Sequence, residues 1–354
     1  MIVKDFLSQF IINRGVIMFQ YINNLKQRLT KSGYNEYYIK LCEQYSTRLL
    51  QNRLPVIFDR KHFSLLLGLK EEYLKMLIIL SDQLYNNVDI PKKLGGYRTI
   101  DIPIEGLKYV QRWILDNILY NIPTSTASTG FVPKKSIKEN AEKHVNKDCV
   151  ITFDIKDFFP TIKFEEVFRI FNYFGYTNDM SYVFAKLCTR LGSLPQGAPT
   201  SPYISNIACL KLDKRLLNLT QSLNANYTRY ADDMTISGGR FLIKYLDLFK
   251  EIISEEGFVI NNKKTNIKYR HDRQMVTGLV VNEKVSIPKK TKRYLRQQIY
   301  FCMKYGVSNH LNYIKCNKSN FKEHLYGLAY FIKMVESEEG DKFLNDLNMI
   351  TWDY

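Results

Sequence analysis

Two adjacent carboxylates are the clearest chemical signal in this chain. Asp232 and Asp233 end the tetrapeptide Tyr230–Asp233, which lies between the strand-like runs 227–230 and 234–237. This pattern predicts a β-hairpin with acidic groups at its tip. Neighbouring carboxylates repel each other, and a divalent metal ion is the usual means of stabilising such a pair. Asp is also common in solvated turns, so the tetrapeptide alone leaves both interpretations open.

A third carboxylate ends a predicted strand earlier in the chain. In Ile151–Ile155 the apolar side chains alternate, and Asp154 points to the face opposite them. An acid at this place is costly if it is buried and unpaired. If the acidic hairpin lies beside this strand, three carboxylates converge. Such an all-oxygen set favours Mg²⁺ or Mn²⁺, and two such ions can stabilise the attacking and leaving oxygens of a phosphoryl transfer.

The charge of the chain favours a polyanionic partner. Among 354 residues, 51 Lys and Arg face 35 Asp and Glu, which gives a net charge of +16. Residues 241–334 hold 18 of these cations and only 7 acids. In the helix predicted after Pro288, Lys289, Arg293 and Arg296 fall on one face. That face suits a groove along phosphates, although an ordinary solvated face has the same pattern.

Neither a membrane span nor a zinc site is predicted. No run of 18 apolar residues occurs, and residues 1–22 lack the small-residue cleavage site of a signal peptide, so we expect a cytoplasmic bacterial protein. Met18 is an alternative start. The six cysteines lack metal-binding spacing and are expected to be reduced thiols.

The coarse pattern of elements predicts an α+β fold. Residues 18–87 look helical, and Pro91–Pro103 reads as a hairpin with a Gly-Gly turn. We expect further helices at 106–119, 164–174, 181–191, 202–219, 242–256 and from 289 onward, and further strands at 150–155, 258–260, 275–281 and 285–287.

Five segments, in order, make the chain resemble a reverse transcriptase. They are Phe153–Phe159, Leu194–Pro202, Tyr230–Asp233, Gly257–Thr265 and Val276–Leu279. The resemblance implies a right-hand polymerase with fingers, a palm with an antiparallel sheet, and a helical thumb. The implied regions are 1–90 (helical, start of fingers), 91–149 (fingers and palm entry), 150–285 (palm, with a fingers insertion at about 164–200) and 286–354 (thumb).

The resemblance also implies roles for single residues. Asp154, Asp232 and Asp233 would be catalytic, and together with the Ile155 carbonyl they would bind two Mg²⁺ ions, or Mn²⁺. Residues implied at the dNTP are Arg98, Phe159, Gln196 and Lys264, with Lys263 as an equal candidate for the last. Residues expected at the nucleic acid are Asn140, His144, Thr277, Gly278, Lys289, Arg293 and Arg296.

Two short elements narrow the resemblance towards bacterial retron enzymes. These are Asn140–His144, an Asn-Ala-x-x-His element, and Val276–Gly278, a Val-Thr-Gly element. A retron enzyme would copy part of a structured noncoding RNA, its template and primer, into msDNA from an internal 2′-hydroxyl. Its partners would be that RNA, the RNA–DNA hybrid, dNTPs and an effector protein of antiphage defence. The alternatives are another defence-associated or group II intron-like reverse transcriptase, and a non-catalytic RNA-binding protein with a degenerate palm.

Overall fold

The computed structural model describes residues 18–92, 95–315 and 319–352. These residues form two compact units: the first combines those up to Ser125 with Asp157–Lys211, and the second combines Thr126–Lys156 with those from Leu212 onward. In chain order the elements are α1 (18–31), α2 (Glu36–Gln51), α3 (Arg60–Leu67), α4 (Glu71–Ile79), β1 (Tyr85–Pro91), β2 (Tyr97–Pro103), α5 (Glu105–Asn117), α6 (Ile137–Glu142), β3 (Cys149–Asp154), α7 (Phe158–Thr161), α8 (Phe164–Tyr173), α9 (Asn178–Cys188), α10 (Ser201–Ala208), α11 (Leu210–Ser222), β4 (Asn226–Tyr230), β5 (Asp233–Gly238), α12 (Leu246–Glu255), β6 (Asn266–Tyr269), β7 (Met275–Val276), β8 (Leu279–Val280), α13 (Lys289–Tyr305), α14 (Val307–Tyr313), α15 (Phe321–Val335) and α16 (Ser337–Asn348).

The first unit consists of helices and one exposed hairpin. Strands β1 and β2 pair antiparallel, with Ile90 opposite Arg98, and most of their side chains are exposed. The helices begin at polar caps: Asn35 and Asp59 accept hydrogen bonds from the first turns of α2 and α3. The aromatic rings of Phe63, Phe171 and Phe184 are fully buried and form part of the core of this unit.

The second unit is built on a four-stranded antiparallel sheet with the order β4-β5-β3-β6. Strand β3 is central, and almost all of its side chains are buried, as expected for a strand covered on both faces. Helices α13, α15 and α16 pack around the β7–β8 hairpin, where Val276 and Leu279 share one core with Leu295 and Ile332. None of the described helices is long and apolar enough to span a membrane.

The α+β class is confirmed, but several predicted elements differ. The helix expected to reach residue 87 gives way at Tyr85 to β1, whose exposed residues carry no burial pattern. The predicted helix 202–219 is two helices that meet at Cys209. Residues 285–287 form only a bridge between Val280 and Ser286, and 258–260 only one between Ile155 and Ile260.

Candidate active site

The central sheet places the three predicted carboxylates at one end of its strands. Asp154 at the end of β3 lies directly opposite Asp233 at the start of β5. Directly opposed residues have side chains on the same face, so these two carboxylates are neighbours. Asp232 lies in the two-residue turn between β4 and β5, and its carbonyl accepts a hydrogen bond of 3.0 Å from the Ile155 amide. Ala231, the first turn residue, has a φ of +56°, as primed hairpin turns require.

The electrostatics of this cluster favour a bound cation. Burial raises the pKa of Asp233 to about 6, and the charges of Asp232 and Asp154 add to the effect. Lys264 offsets part of this charge: its Nζ lies 2.8 Å from Asp154 Oδ2. That hydrogen bond raises the pKa of the Lys264 ammonium. The mutual repulsion of the three carboxylates, which adds to the raised pKa of Asp233, fits a divalent metal ion.

The three carboxylates are not arranged around a common point. Within the described ranges, no group of three or more His, Cys, Asp or Glu side chains is arranged to hold a metal ion. Asp154 instead accepts hydrogen bonds from Lys264 and from Asn261 Nδ2, the latter at 3.2 Å. The oxygen-only donor set and the shared face of Asp154 and Asp233 fit a hard cation.

A buried ion pair supports the acidic turn. The guanidinium of Arg229 forms a bidentate contact with Asp213, with Nε–Oδ1 and Nη2–Oδ2 distances of 2.8 and 2.7 Å. Both side chains are 0% exposed. Tyr227 donates its hydroxyl to the same carboxylate at 2.8 Å. Arg229 Nη1 also donates to the carbonyl of Ala231 at 3.2 Å, directly before Asp232. The pair therefore fixes the backbone that presents the acid.

The loop at residues 127–130 is hydrogen-bonded to the outer edge of β4. The amide of Thr129 donates to the Arg229 carbonyl, and the amide of Arg229 donates to the Ala127 carbonyl, both at 2.9 Å. Gly130 follows against the acidic turn, where an added Cβ would lie 2.8 Å from the amide nitrogen of Ala231. Only glycine fits this approach, so the loop and the turn are held in contact.

Asn140 and His144 lie beneath this site and are buried, at 1% and 0% exposure. The ring nitrogens of His144 hydrogen-bond Ser237 Oγ and Thr228 Oγ1, each at 2.7 Å, and so join β5 to β4. Burial lowers the pKa of His144 to about 3, so the ring is neutral. Asn140 accepts from Thr129 Oγ1 at 2.9 Å. Both side chains are thus enclosed by neighbouring residues, and their expected contact with nucleic acid stays a prediction.

The other residues expected at the nucleic acid are accessible. Thr277 and Gly278 form the β7–β8 turn with φ values of +48° and +83°. Lys289, Arg293 and Arg296 are exposed on one face of α13, while Leu295, Ile299 and Cys302 are buried on another. Arg296 also forms an ion pair with Glu339 at 3.0 Å, which engages part of its charge.

The residues expected at the dNTP, apart from Lys264, belong to the first unit. Arg98 is exposed on β2. Phe159 is half-buried beside the buried Phe158, with ring centroids 5.4 Å apart. The carbonyl of Gln196 accepts from the Asp101 amide at 2.8 Å, so its loop lies along β2. A Cβ at Gly197 would lie 2.4 Å from the Asp101 carbonyl oxygen, which explains the glycine.

Comparison with known proteins agrees with this geometry. The family described as "Reverse transcriptase (RNA-dependent DNA polymerase)" matches residues 90–304. The chain belongs to the reverse transcriptase family. It is therefore an RNA-directed DNA polymerase with a right-hand polymerase fold, and the sheet that holds the acids is its palm.

The similar proteins are retron enzymes. The Retron Ec86 reverse transcriptase of Escherichia coli is 35% identical over 322 residues, covering 89% of this chain and 97% of that protein. The Retron Mx162 reverse transcriptase of Myxococcus xanthus is 34% identical over 299 residues, covering 74% of this chain and 60% of that protein. A solved telomerase from Candida tropicalis, in complex with a telomeric RNA fragment, overlaps with a TM-score of 0.44 at 12% identity, covering 79% of this chain and 68% of that one.

Sequence reasoning missed the Asp213–Arg229 pair and the loop at 127–130. One signal was available: Arg229 falls inside a strand that reads as buried, and a charge there requires a partner. Its partner, 16 positions earlier on α11, has no sequence signature of its own.

Proposed function

We propose that this protein is the reverse transcriptase of a retron, acting in the bacterial cytoplasm. It copies part of a structured noncoding RNA into single-stranded msDNA and is primed from an internal 2′-hydroxyl of that RNA. The observation that supports this most strongly is the 35% identity over 97% of the E. coli retron enzyme. The Asn140–His144 and Val276–Gly278 elements lie within that similarity and contact each other, with Asn140 Nδ2 donating to Thr277 Oγ1 at 3.5 Å.

The metal site proposed for this reaction uses the residues already gathered on the palm. Asp154, Asp232 and the Ile155 carbonyl would hold two Mg²⁺ ions, or Mn²⁺, and Asp233 would complete the negative cluster. When bound, the ions lower the pKa of the attacking hydroxyl and neutralise charge on the triphosphate. Burial raises the pKa of Asp233, the charges of Asp232 and Asp154 raise it further, and bound ions would offset the repulsion between these charges.

Four side chains are proposed to contact the incoming nucleotide. Arg98 offers a planar donor fork suited to a triphosphate. Phe159 would exclude a 2′-hydroxyl from the sugar position by steric clash. Gln196 would lie beside the incoming nucleotide, and Lys264, or its neighbour Lys263, would donate a proton to the leaving pyrophosphate. Lys264 is favoured by its contact with Asp154.

The proposed partners follow from the product. The template strand, the RNA–DNA hybrid and the msDNA would lie along the exposed cations Lys289, Arg293 and Arg296, a contact made mainly to phosphates. A cognate noncoding RNA, dNTPs and an effector protein complete the proposal, with antiphage defence as the cellular role.

The test is the covalent structure of the product. The gene is expressed with its flanking DNA, and nucleic acid that co-purifies with the protein is treated with ribonuclease and with a 2′,5′-debranching enzyme. We expect DNA that carries an RNA remnant and changes mobility on debranching, and none from an Asp232→Asn/Asp233→Asn variant. Linear, unbranched cDNA would instead favour a group II intron-like or another defence-associated enzyme.

A further inference from the structure

A row of side chains extends from the catalytic acids to the edge of the palm sheet. Asp154 lies opposite Asp233, and Asp233 lies opposite Tyr230, so all three side chains share one face of the strands. Beyond Tyr230, the loop at 127–130 runs along β4, with Ser128 bridged in parallel to Arg229. The residue that follows this loop is Phe131.

Phe131 has three properties that packing alone does not explain. Its φ is +60°, a left-handed conformation that is a genuine outlier for a bulky residue. Its ring is 43% exposed, although it is a large apolar side chain. It contacts the ring of Tyr230 with centroids 6.1 Å apart and planes inclined at 39°. The backbone thus adopts a strained conformation while presenting an aromatic ring to solvent.

The loop holds this ring in a fixed place. The Thr129 amide and Gly130 fasten the segment to β4 and to the acidic turn, and Lys135 Nζ donates to the Ser128 carbonyl at 3.2 Å. Adjacent strands are about 4.8 Å apart, so a ring one step beyond Tyr230 lies about 10 Å from Asp233. That distance corresponds to about three steps of 3.4 Å along a nucleic acid strand.

We propose that Phe131, together with Tyr230, forms an aromatic platform for a nucleotide within the last three of the primer strand. The proposal rests on the polymerase function and specifies which part of its substrate this face of the palm receives. In an annealed primer the faces of the bases are covered, so the rings would pack against the sugar and the minor-groove edge, which are present in every sequence. Such contacts suit an enzyme that must hold each new primer end. The exposed cation Lys134, three positions further along the chain, would suit the adjoining phosphates.

The experiment uses the full chain and an RNA template annealed to a fluorescent DNA primer. The variants are Phe131→Ala, Phe131→Gly and Phe131→Trp, and the control is Tyr173→Ala, which removes an aromatic ring that is 84% exposed on α8. We measure primer–template Kd, KM for dNTP, and Tm. We expect Phe131→Ala and Phe131→Gly to weaken primer–template binding about 5- to 100-fold, with KM for dNTP unchanged. Phe131→Trp and the control should stay within about threefold of the original protein.

The glycine variant separates binding from packing. It relieves the left-handed strain, so we expect its Tm to be no lower than that of Phe131→Ala while its primer affinity is still reduced. The inference is overturned if Phe131→Ala binds primer–template as tightly as the original protein, or if affinity falls only in step with Tm. An original protein that binds the duplex but adds no dNTP would contradict the polymerase function instead, and the Kd series would still decide the platform.

Discussion

The buried pair Asp213–Arg229 gives the sharpest test of how the palm holds its acids. Both side chains are 0% exposed, and the carboxylate accepts two bonds from the guanidinium and one from Tyr227. Removing one partner leaves an uncompensated buried charge, which costs about 3–5 kcal/mol. We therefore expect Arg229→Met or Asp213→Leu alone to lower the free energy of unfolding by that amount. A control, Asp179→Asn, breaks a pair with Arg60 whose side chains are 53% and 45% exposed and should cost less than about 1 kcal/mol.

The double variant Asp213→Leu/Arg229→Met distinguishes stability from positioning. Replacing both charges by apolar groups should restore most of the lost stability. It cannot restore the bond from Arg229 Nη1 to the Ala231 carbonyl, so Asp232 loses a constraint on its position. A misplacement of about 1 Å costs about a hundredfold in rate, and we expect a loss of about 10- to 100-fold in kcat. Denaturant unfolding and single-nucleotide addition measure the two effects.

Two results would refute this prediction. If the double variant regains both stability and kcat, the pair only stabilises the palm and does not position the turn. If the single variants unfold with the same midpoint as the control, the carboxylate and guanidinium are not the buried, mutually dependent pair that the structure shows.

Three further predictions concern titration and sugar choice. Because the pKa of Asp233 is raised to about 6 in the folded protein, its ionisation opposes folding, and stability is lost as pH rises from 3.8 through that value. With a chelator present, Asp233→Asn should therefore raise Tm more at about pH 7.5 than at about pH 5. Equal gains at the two pH values would contradict this. Because the pKa of His144 is lowered to about 3, its protonation opposes folding, and stability is lost as pH falls below 6.5. On acidification, the Tm of His144→Gln should therefore rise relative to that of the original protein. A constant difference in Tm would count against this. Phe159→Ala should admit rNTPs, lowering the ratio of kcat/KM for dNTP over rNTP about 10- to 200-fold; an unchanged ratio would remove Phe159 from the sugar contact.

The palm strands were predictable because their signals are local. The period-two alternation in Ile151–Ile155 and the apolar runs around Asp232 predict strands from neighbouring residues alone. The acids were recognisable for the same reason, since carboxylates at strand ends require an explanation wherever they occur.

The register that joins these strands could not be predicted. Asp154 and Asp233 are far apart in the chain, and their pairing depends on which faces are buried in the folded sheet. Strand β6 was missed because half of its four residues are exposed and no hydrophobic pattern marks it. The burial of His144 could not be predicted either, because its two hydroxyl partners belong to strands more than 80 positions away.

The most direct test of the account is the rate of a single dNTP addition to a DNA primer on an RNA template in Mg²⁺. We propose that the reacting metal ions bind Asp154 and Asp232. We therefore expect Asp154→Asn and Asp232→Asn to lose at least about a thousandfold in rate while binding the primer–template with unchanged Kd. Addition by either variant at the rate of the original protein would contradict the central claim.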